Sequence, residues 1–96
     1  MRRGDVIRLI RDHQAEVDAF GVVALSLFGS VARDEAGEDS DVDMLVEFDG
    51  PTTFRAHMGL LLFLEGLLGT KVDLATEAML PPEIAESLRR DVLRVA

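Results

Sequence analysis

Two aspartates separated by one residue, Asp41 and Asp43, are the strongest candidates in this sequence for side chains with a chemical role. They begin a segment, 41–48, in which polar and apolar residues alternate, and this alternation predicts a β-strand. Residues two apart on a strand leave the same face about 6.5–7 Å apart at the backbone, so both carboxylates can converge on shared cations. Without a cation, the two charges repel and raise each other's pKa.

A third carboxylate and a turn suited to phosphate lie elsewhere in the chain. Asp73 interrupts the otherwise apolar run 72–75, although it has the alternative of facing water at a sheet edge or pairing with Lys71. Gly29-Ser30 follows a hydrophobic segment, and its backbone amides and hydroxyl suit a phosphate group. Because the chain has no Cys and no paired His, these oxygen ligands favour a hard ion such as Mg²⁺ over Zn²⁺.

Other ligand-binding motifs do not fit the sequence. The segment 39–43 begins like a calcium-binding loop, but Met44 replaces the required Gly and Gly50 stands where the closing Glu belongs. The turn at Gly29 lacks both the ending of a P-loop and the spacing of a dinucleotide-binding motif. The carboxylate site is therefore the chemical hypothesis that remains.

The length and charge of the chain limit its partners. Its 96 residues suit one domain, 1–96, with a single core. Of the 18 acidic residues, eight lie in the segment 34–49, which contains no Lys or Arg, and the other ten balance the ten basic residues. The net charge of −8 therefore belongs to one site. Scarce basic residues disfavour free nucleic acid as a partner, because phosphate contacts supply much of that affinity.

The composition also predicts where the protein resides. The longest apolar run, 60–64, is far shorter than the roughly 20 residues of a membrane span, so no membrane association is expected. The absence of Cys fits a reducing compartment. A cytoplasmic protein is the resulting expectation.

Hydrophobic periodicity predicts alternating helices and strands. The predicted strands are 22–28, central and buried on both sides, 41–48 and 71–76. The first predicted helix runs over 5–20, where Asp5 caps its start and Gly21 ends it. Two further helices are predicted, from Thr52 or Thr53 to Leu68 and from Pro81-Pro82 to Leu93. A short helix is also compatible with 31–36. The expected fold class is α/β, in the α+β sense, with a short mixed sheet of about three strands and helices packed mainly on one face.

The helix that ends at Leu68 carries apolar residues on two opposite faces. A surface helix of a small domain needs only one such face. The second face therefore predicts either a fully internal helix or a surface for a partner. The two stripes are Phe54, Met58, Leu61 and Leu68, and Ala56, Leu60, Phe63 and Leu67.

The combined pattern resembles the minimal nucleotidyltransferases of the DNA polymerase beta-like superfamily. The resemblance rests on Gly29-Ser30, ten intervening residues, Asp41-Val42-Asp43, and Asp73 downstream, and it extends over almost the whole chain. The segments 29–33 and 45–48 are also similar to that family. Many relatives have Gly after the Ala-Arg pair, where this chain has Asp34, which adds negative charge beside the expected phosphate site.

The resemblance implies a nucleotidyltransferase fold and a role for each motif residue. Asp41 and Asp43 would bind two Mg²⁺ ions, and Asp73 would complete one metal site where the acceptor hydroxyl loses its proton. Ser30, with the Gly29 turn, would hold the β and γ phosphates of ATP. Arg33 would add positive charge near the phosphates, with a surface pair to Asp34 as its alternative.

The resemblance also implies a protein partner. Minimal members of the family are commonly antitoxins that use ATP to adenylylate a tyrosine of a HEPN-domain toxin, and this activity is the leading hypothesis. Two alternatives stay open at this point. One is a non-catalytic antitoxin that inhibits its partner by steric binding. The other is a nucleotidyltransferase for small molecules whose acceptor pocket is completed by oligomerisation.

Overall fold

The computed structural model describes residues 2–29, 41–89 and 93–95, which contain four helices, a 3₁₀ turn and four strands. The helices are α1 (Arg3–Asp12), α2 (Gln14–Ala19), α3 (Phe54–Leu68) and α4 (Pro82–Arg89), with a 3₁₀ turn at Glu77–Met79. The strands are β1 (Val22–Phe28), β2 (Val42–Phe48), β3 (Val72–Ala75) and β4 (Leu93–Arg94). None of these helices is long and apolar enough to cross a membrane.

The strands form one mixed sheet, in the order β3-β2-β1-β4 within the described parts of the chain. β1 runs antiparallel to β2 and β4, whereas β2 and β3 are parallel and are connected through α3. This register sets Asp43 of β2 opposite Phe28 of β1 on one side and opposite Asp73 of β3 on the other. The predicted α+β class is confirmed, with four strands where about three were expected.

One face of the sheet is apolar and packs against the helices. Val42, Met44 and Val46 are buried there, as the alternation of β2 predicts, while Asp43 and Glu47 point to the opposite face. Removing such apolar side chains from water stabilises the fold by about 1.5–3 kcal/mol each. Other fully buried members of this single core are Val6, Ile10, Val17, Leu25, Leu27, Leu60 and Leu64.

β1 is central in the sheet but is buried on one side only, which corrects the prediction of burial on both sides. Leu25 and Leu27 are fully buried, whereas Ser26 and Phe28 on the other face are half-buried. Val23 is 48% exposed and lies where the register with β2 shifts. The buried residues of α1, α2 and α3 pack against the face of Leu25 and Leu27. Among the described residues, the opposite face of β1 is only partly covered even though its sequence is apolar.

The helix predicted over 5–20 is divided at His13, which corrects a second prediction. The backbone of His13 has φ −117° and ψ 25°, outside the α-helical region, and its Nδ1 lies 2.9 Å from the carbonyl oxygen of Leu9. A side chain that bonds this carbonyl competes with the backbone N–H that a continuous helix would place there. Asp5 lies in the first turn of α1 rather than at the cap and pairs with Arg8 at 3.3 Å.

The end of the chain also differs from the prediction. The last helix stops at Arg89, and Leu93 lies in the short strand β4, where Ser26 of β1 faces Arg94. A strand of two residues has no periodicity to detect, and Leu93 continued the helical spacing of the residues before it. The short helix compatible with 31–36 falls outside the described residues.

α3 lies against the sheet along most of its length. Its residues Leu60 and Leu64 are fully buried, and Leu61, Phe63 and Leu67 are half-buried against the same core. The exposed apolar side chains of this helix are Phe54, at 82%, and Leu62, at 63%. α3 is therefore not the fully internal helix that was one alternative, although most of its apolar residues pack against the core. A partner surface on this helix stays a prediction.

We expect Thr53→Ala to destabilise the protein by about 1 kcal/mol, because Thr53 Oγ1 accepts a hydrogen bond from the Ala56 amide at 3.1 Å and so caps α3. For a domain of this size, that loss lowers Tm by about 4–8 °C. Thr52→Ala is the matched control, and thermal unfolding followed by circular dichroism measures both. Equal Tm values for Thr53→Ala and Thr52→Ala would contradict the assignment of the cap.

Candidate functional site

Three carboxylates lie at the end of the open sheet face, the face opposite the helices. Asp43 and Asp73 are direct neighbours across the parallel pair β2–β3, whose backbones run about 4.8 Å apart. Asp41 precedes β2 by one residue and lies two residues before Asp43, on the same side of the chain. Asp43 is half-buried, while Asp41 and Asp73 are exposed. The site therefore has one recessed acid between two acids that face solvent.

The three acids interact electrostatically. Burial raises the pKa of the Asp43 carboxyl above its ordinary value, and the negative charges of Asp73 and then Asp41 raise the pKa further. These two charge effects mean that both neighbouring carboxylates lie within electrostatic reach of Asp43. The structure thus brings together the three aspartates that the sequence analysis assigned to one site.

Gly29 lies directly against the recessed acid. It ends β1 with a positive φ of 71°, and a Cβ atom placed on it would lie 2.5 Å from Oδ2 and 3.3 Å from Cγ of Asp43. A side chain at this position would meet both a backbone penalty, because φ is positive, and the Asp43 carboxylate. The positive φ therefore favours glycine here, any larger residue would also displace the Asp43 carboxylate, and Gly29 itself adjoins the acid site.

Two of the predicted nucleotide-binding residues, Ser30 and Arg33, lie outside the described residues, as does Asp34. The predicted site is thus placed through Gly29 and the three aspartates. The open face continues beyond Asp43 into a half-open cavity of about 210 Å³. Its lining residues are Ala24, Ser26, Leu45, Val46, Glu47 and Glu77. Neither the three aspartates nor Gly29 line this cavity, so it does not mark the acid site.

The donor chemistry of the three acids suits a hard divalent cation, since all available ligand atoms are carboxylate oxygens. A cation would also relieve the repulsion that raises the pKa of Asp43. Within residues 2–29, 41–89 and 93–95, no group of three or more His, Asp or Glu side chains is placed so that it could hold a metal ion. The fit to a metal therefore rests on the oxygen donors and on their mutual repulsion.

Sequence reasoning missed two side chains that hold the strand of Asp73. His57 Nε2 lies 2.9 Å from the carbonyl oxygen of Leu74, and Glu65 Oε2 accepts a hydrogen bond from the Val72 amide at 3.2 Å. Both side chains come from α3 and flank Asp73 along β3. No motif marks them, because a bond to backbone depends on where the helix lies rather than on a sequence signature.

Comparison with known proteins is consistent across sequence and structure. The sequence pattern of the nucleotidyltransferase domain matches residues 8–94. This chain belongs to the nucleotidyltransferase family. A relative from Thermococcus cleftensis, the protein adenylyltransferase MntA, is 38% identical over 92 residues, which are 95% of this chain and 93% of the relative. A Methanocaldococcus jannaschii protein named as a candidate protein adenylyltransferase is 36% identical over 95 residues, 95% of each chain.

Solved structures give the same assignment for the nucleotidyltransferase fold. A structure described as a candidate minimal nucleotidyltransferase has a TM-score of 0.86 and 39% identity, and the match covers 97% of this chain and 95% of that one. A toxin–antitoxin structure with AMP-PNP has a TM-score of 0.72 at 20% identity, covering all of this chain and 73% of that one. The predicted resemblance to minimal nucleotidyltransferases and the predicted enzyme class are confirmed by these relatives.

We expect Asp43→Asn to stabilise the metal-free protein at pH 7, because the substitution removes a charge that burial and two neighbouring acids disfavour. Cross-strand charge pairs are worth roughly 0.2–1 kcal/mol, so Tm should rise by about 1–8 °C. Because the pKa of Asp43 is raised in the folded protein, the native state binds the carboxyl proton of Asp43 more tightly than the unfolded state does. The protein therefore loses stability as the pH rises from 3.8, the ordinary pKa, through the folded pKa. The gain should therefore vanish below that ordinary value.

The exposed Asp49, at the other end of β2, provides the matched control Asp49→Asn. Thermal unfolding between pH 3 and pH 8 in the presence of a chelator measures both variants. A Tm increase of equal size in both variants, or one that persists at low pH, would contradict the repulsion within the site.

Proposed function

We propose that this protein is a Mg²⁺-dependent adenylyltransferase that transfers AMP from ATP to a hydroxyl group of a partner protein. The observation that carries the proposal is the position of Asp43, which lies between Asp41 and Asp73 in electrostatic reach and against the turn at Gly29. The names of its relatives, protein adenylyltransferases at 36–38% identity, favour a protein as the acceptor.

The charge of the site determines what it can bind. Asp41, Asp43 and Asp73 would repel the triphosphate of ATP, so a polyanionic substrate can enter only with cations. Asp41 and Asp43 would hold two Mg²⁺ ions, and Asp73 would complete the coordination of one of them. When bound, Mg²⁺ supplies positive charge that stabilises the attacking and leaving oxygens of an in-line transfer.

The transfer itself requires one proton movement and one bond exchange. The Asp73 carboxylate would accept the proton of the acceptor hydroxyl, whose oxygen then attacks the α-phosphorus of ATP. The new oxygen–phosphorus bond forms as the bond from the α-phosphorus to the bridging oxygen of the β-phosphate breaks. Pyrophosphate leaves, and AMP stays on the acceptor. Asp73 is suited to this step because it is the exposed acid of β3, open to an incoming protein surface.

The turn after β1 would hold the leaving phosphates. Gly29 has the positive φ of a tight turn, and the amides and the Ser30 hydroxyl that follow it would bind the β and γ phosphates. Arg33 would add positive charge there. Because Gly29 has no side chain, the phosphates could lie close to the Asp43 carboxylate, with the bound cations between these two negatively charged groups.

We propose that the acceptor is the HEPN-domain toxin of a toxin–antitoxin pair and that the modified group is a tyrosine hydroxyl. Support comes from solved structures with the same fold, among them the MntA–HepT toxin–antitoxin complex and a tri-AMPylated HEPN toxin in complex with MNT antitoxin. The chain would act as the antitoxin. The absence of Cys supports a cytoplasmic location for this pair.

The proposal is tested by incubating the protein with Mg²⁺, ATP labelled on its α-phosphate, and the product of the neighbouring gene. We expect label on a tyrosine of the partner, found by mass spectrometry, and none without Mg²⁺. Asp41→Asn with Asp43→Asn should lower transfer by at least about 100-fold, because the cation-binding carboxylates are removed. The control Asp49→Asn should leave transfer within about twofold of wild type.

Growth rescue in cells that express the toxin separates the alternatives. The variant with both substitutions should fail to neutralise the toxin if modification is the mechanism. Full neutralisation by that variant would contradict the enzymatic proposal and would favour inhibition by steric binding. Transfer to a small hydroxyl compound without any partner would point to the third alternative.

We expect Gly29→Ala to abolish most of the transfer activity, because a methyl group would displace the Asp43 carboxylate. Gly50→Ala is a matched control: Gly50 also has a positive φ, of 85°, but its Cβ position is open. Both variants should lose about 1–2 kcal/mol of stability from the left-handed backbone, whereas only Gly29→Ala should lose transfer. Equal activity in the two variants at a temperature where both are folded would contradict this role of Gly29.

A further inference from the structure

We infer that Glu65 and His57 are positioning residues that fix the strand of Asp73, and this inference rests on the proposed function. The starting observation is the place of β3 in the sheet. It has four residues and lies at an edge of the sheet that the described residues form, with β2 as its one neighbouring strand. So short an edge strand has few ladder hydrogen bonds to hold it.

The register shows which backbone groups of β3 face outward. The Val42 amide donates to the carbonyl oxygen of Lys71 at 3.0 Å, and Val42 pairs with Val72. In a parallel ladder, this bond turns the backbone groups of Lys71 and Asp73 towards β2 and those of Val72 and Leu74 away from it. The outward groups of Val72 and Leu74 thus need partners from outside the sheet.

α3 supplies a partner at each of these two residues. Glu65 accepts from the Val72 amide at 3.2 Å, and His57 donates from Nε2 to the Leu74 carbonyl oxygen at 2.9 Å. The later helix residue meets the earlier strand residue, so α3 runs antiparallel along the outer edge of β3. Asp73 is therefore held on one side by β2 and lies between two residues bonded to α3.

The side chain of Asp73 depends on this arrangement for its distance to Asp43. Val72 and Leu74 are buried, at 8% and 4% exposure, and their side chains point to the helix face, so Asp73 must point to the open face. A shift of β3 would move Asp73 away from Asp43 without changing any of the acids. Misplacing a group that supports a ligand lowers metal affinity or activity by about 10- to 100-fold.

Paired substitutions test the inference. Glu65→Leu and His57→Leu remove the two bonds, whereas Glu65→Gln keeps an acceptor oxygen and His57→Gln keeps a terminal N–H donor. We expect the Leu variants to lower kcat for adenylylation by about 10- to 100-fold, with KM for the acceptor within about threefold of wild type. The Gln variants should recover most of kcat.

Thr53→Ala is the stability control, because Thr53 caps α3 but makes no hydrogen bond to β3 in the described structure. It should lower Tm while leaving kcat within about twofold of wild type below the melting transition. Equal kcat losses in Thr53→Ala and in the Leu variants would overturn the inference. So would a rise in KM with kcat unchanged, which would indicate that His57 and Glu65 act in partner docking.

Amide hydrogen exchange of the full chain provides a readout that does not need activity. The Asp73 amide faces β2 and is not bonded to α3, so it reports whether the whole strand loosens. We expect its exchange to accelerate about tenfold or more in the Leu variants and to stay near wild type in the Gln variants. Unchanged exchange of the Asp73 amide in the Leu variants would overturn the inference, whether or not the wild-type protein transfers nucleotide. Absence of transfer by the wild-type protein would count against the proposed function alone.

Discussion

Repulsion among carboxylates fixed on neighbouring strands is the constraint on which the site depends. The parallel register of β2 and β3 places Asp73 beside Asp43, and Asp41 adds a third charge from the same strand segment. Burial raises the pKa of Asp43, and the charges of Asp73 and then Asp41 raise it further, so ionised Asp43 is expected to reduce the stability of the metal-free protein near neutral pH. An arrangement that lowers stability within the protein itself is typical of a binding or catalytic site, where a ligand provides the compensating charge.

The rest of the structure maintains that register. Parallel neighbours cannot be joined by a tight turn, so α3 crosses between β2 and β3, and its buried residues Leu60 and Leu64 anchor it in the core. The same helix bonds the outer edge of β3 through two side chains. In the described parts of the chain, the buried residues of α1, α2 and α3 pack against one face of the sheet, and the opposite face carries Asp43 and Asp73. Ser26 and Phe28 of β1 lie half-buried on this same face of the sheet.

The fold class and the common face of Asp41 and Asp43 could be predicted from the sequence, whereas the register that brings Asp73 beside Asp43 could not. Asp41 and Asp43 are two apart on a strongly alternating strand, so their common face follows from strand geometry alone. Asp73 stood out because an acid interrupts an apolar run, but its register against Asp43 depends on how α3 packs, and no local pattern encodes that distance. The break at His13 and the two-residue strand at Leu93 were missed because a side-chain bond to a carbonyl and a tertiary pairing overrode helical spacing. The hydrogen bond from His57 to the Leu74 carbonyl oxygen could not be predicted either, because it depends on tertiary packing.

We propose that Asp41, Asp43 and Asp73 act as one cation-binding unit. Carboxyl-carbon NMR of selectively labelled aspartates, followed during titration with Mg²⁺ and a non-hydrolysable ATP analogue, tests it most directly. We predict that the three carboxyl resonances shift together with a single apparent affinity, while the resonance of Asp49 does not shift. The raised pKa of Asp43 should fall when the ligands bind. Independent shifts, or no response of Asp73 at saturating Mg²⁺ and analogue, would contradict the account.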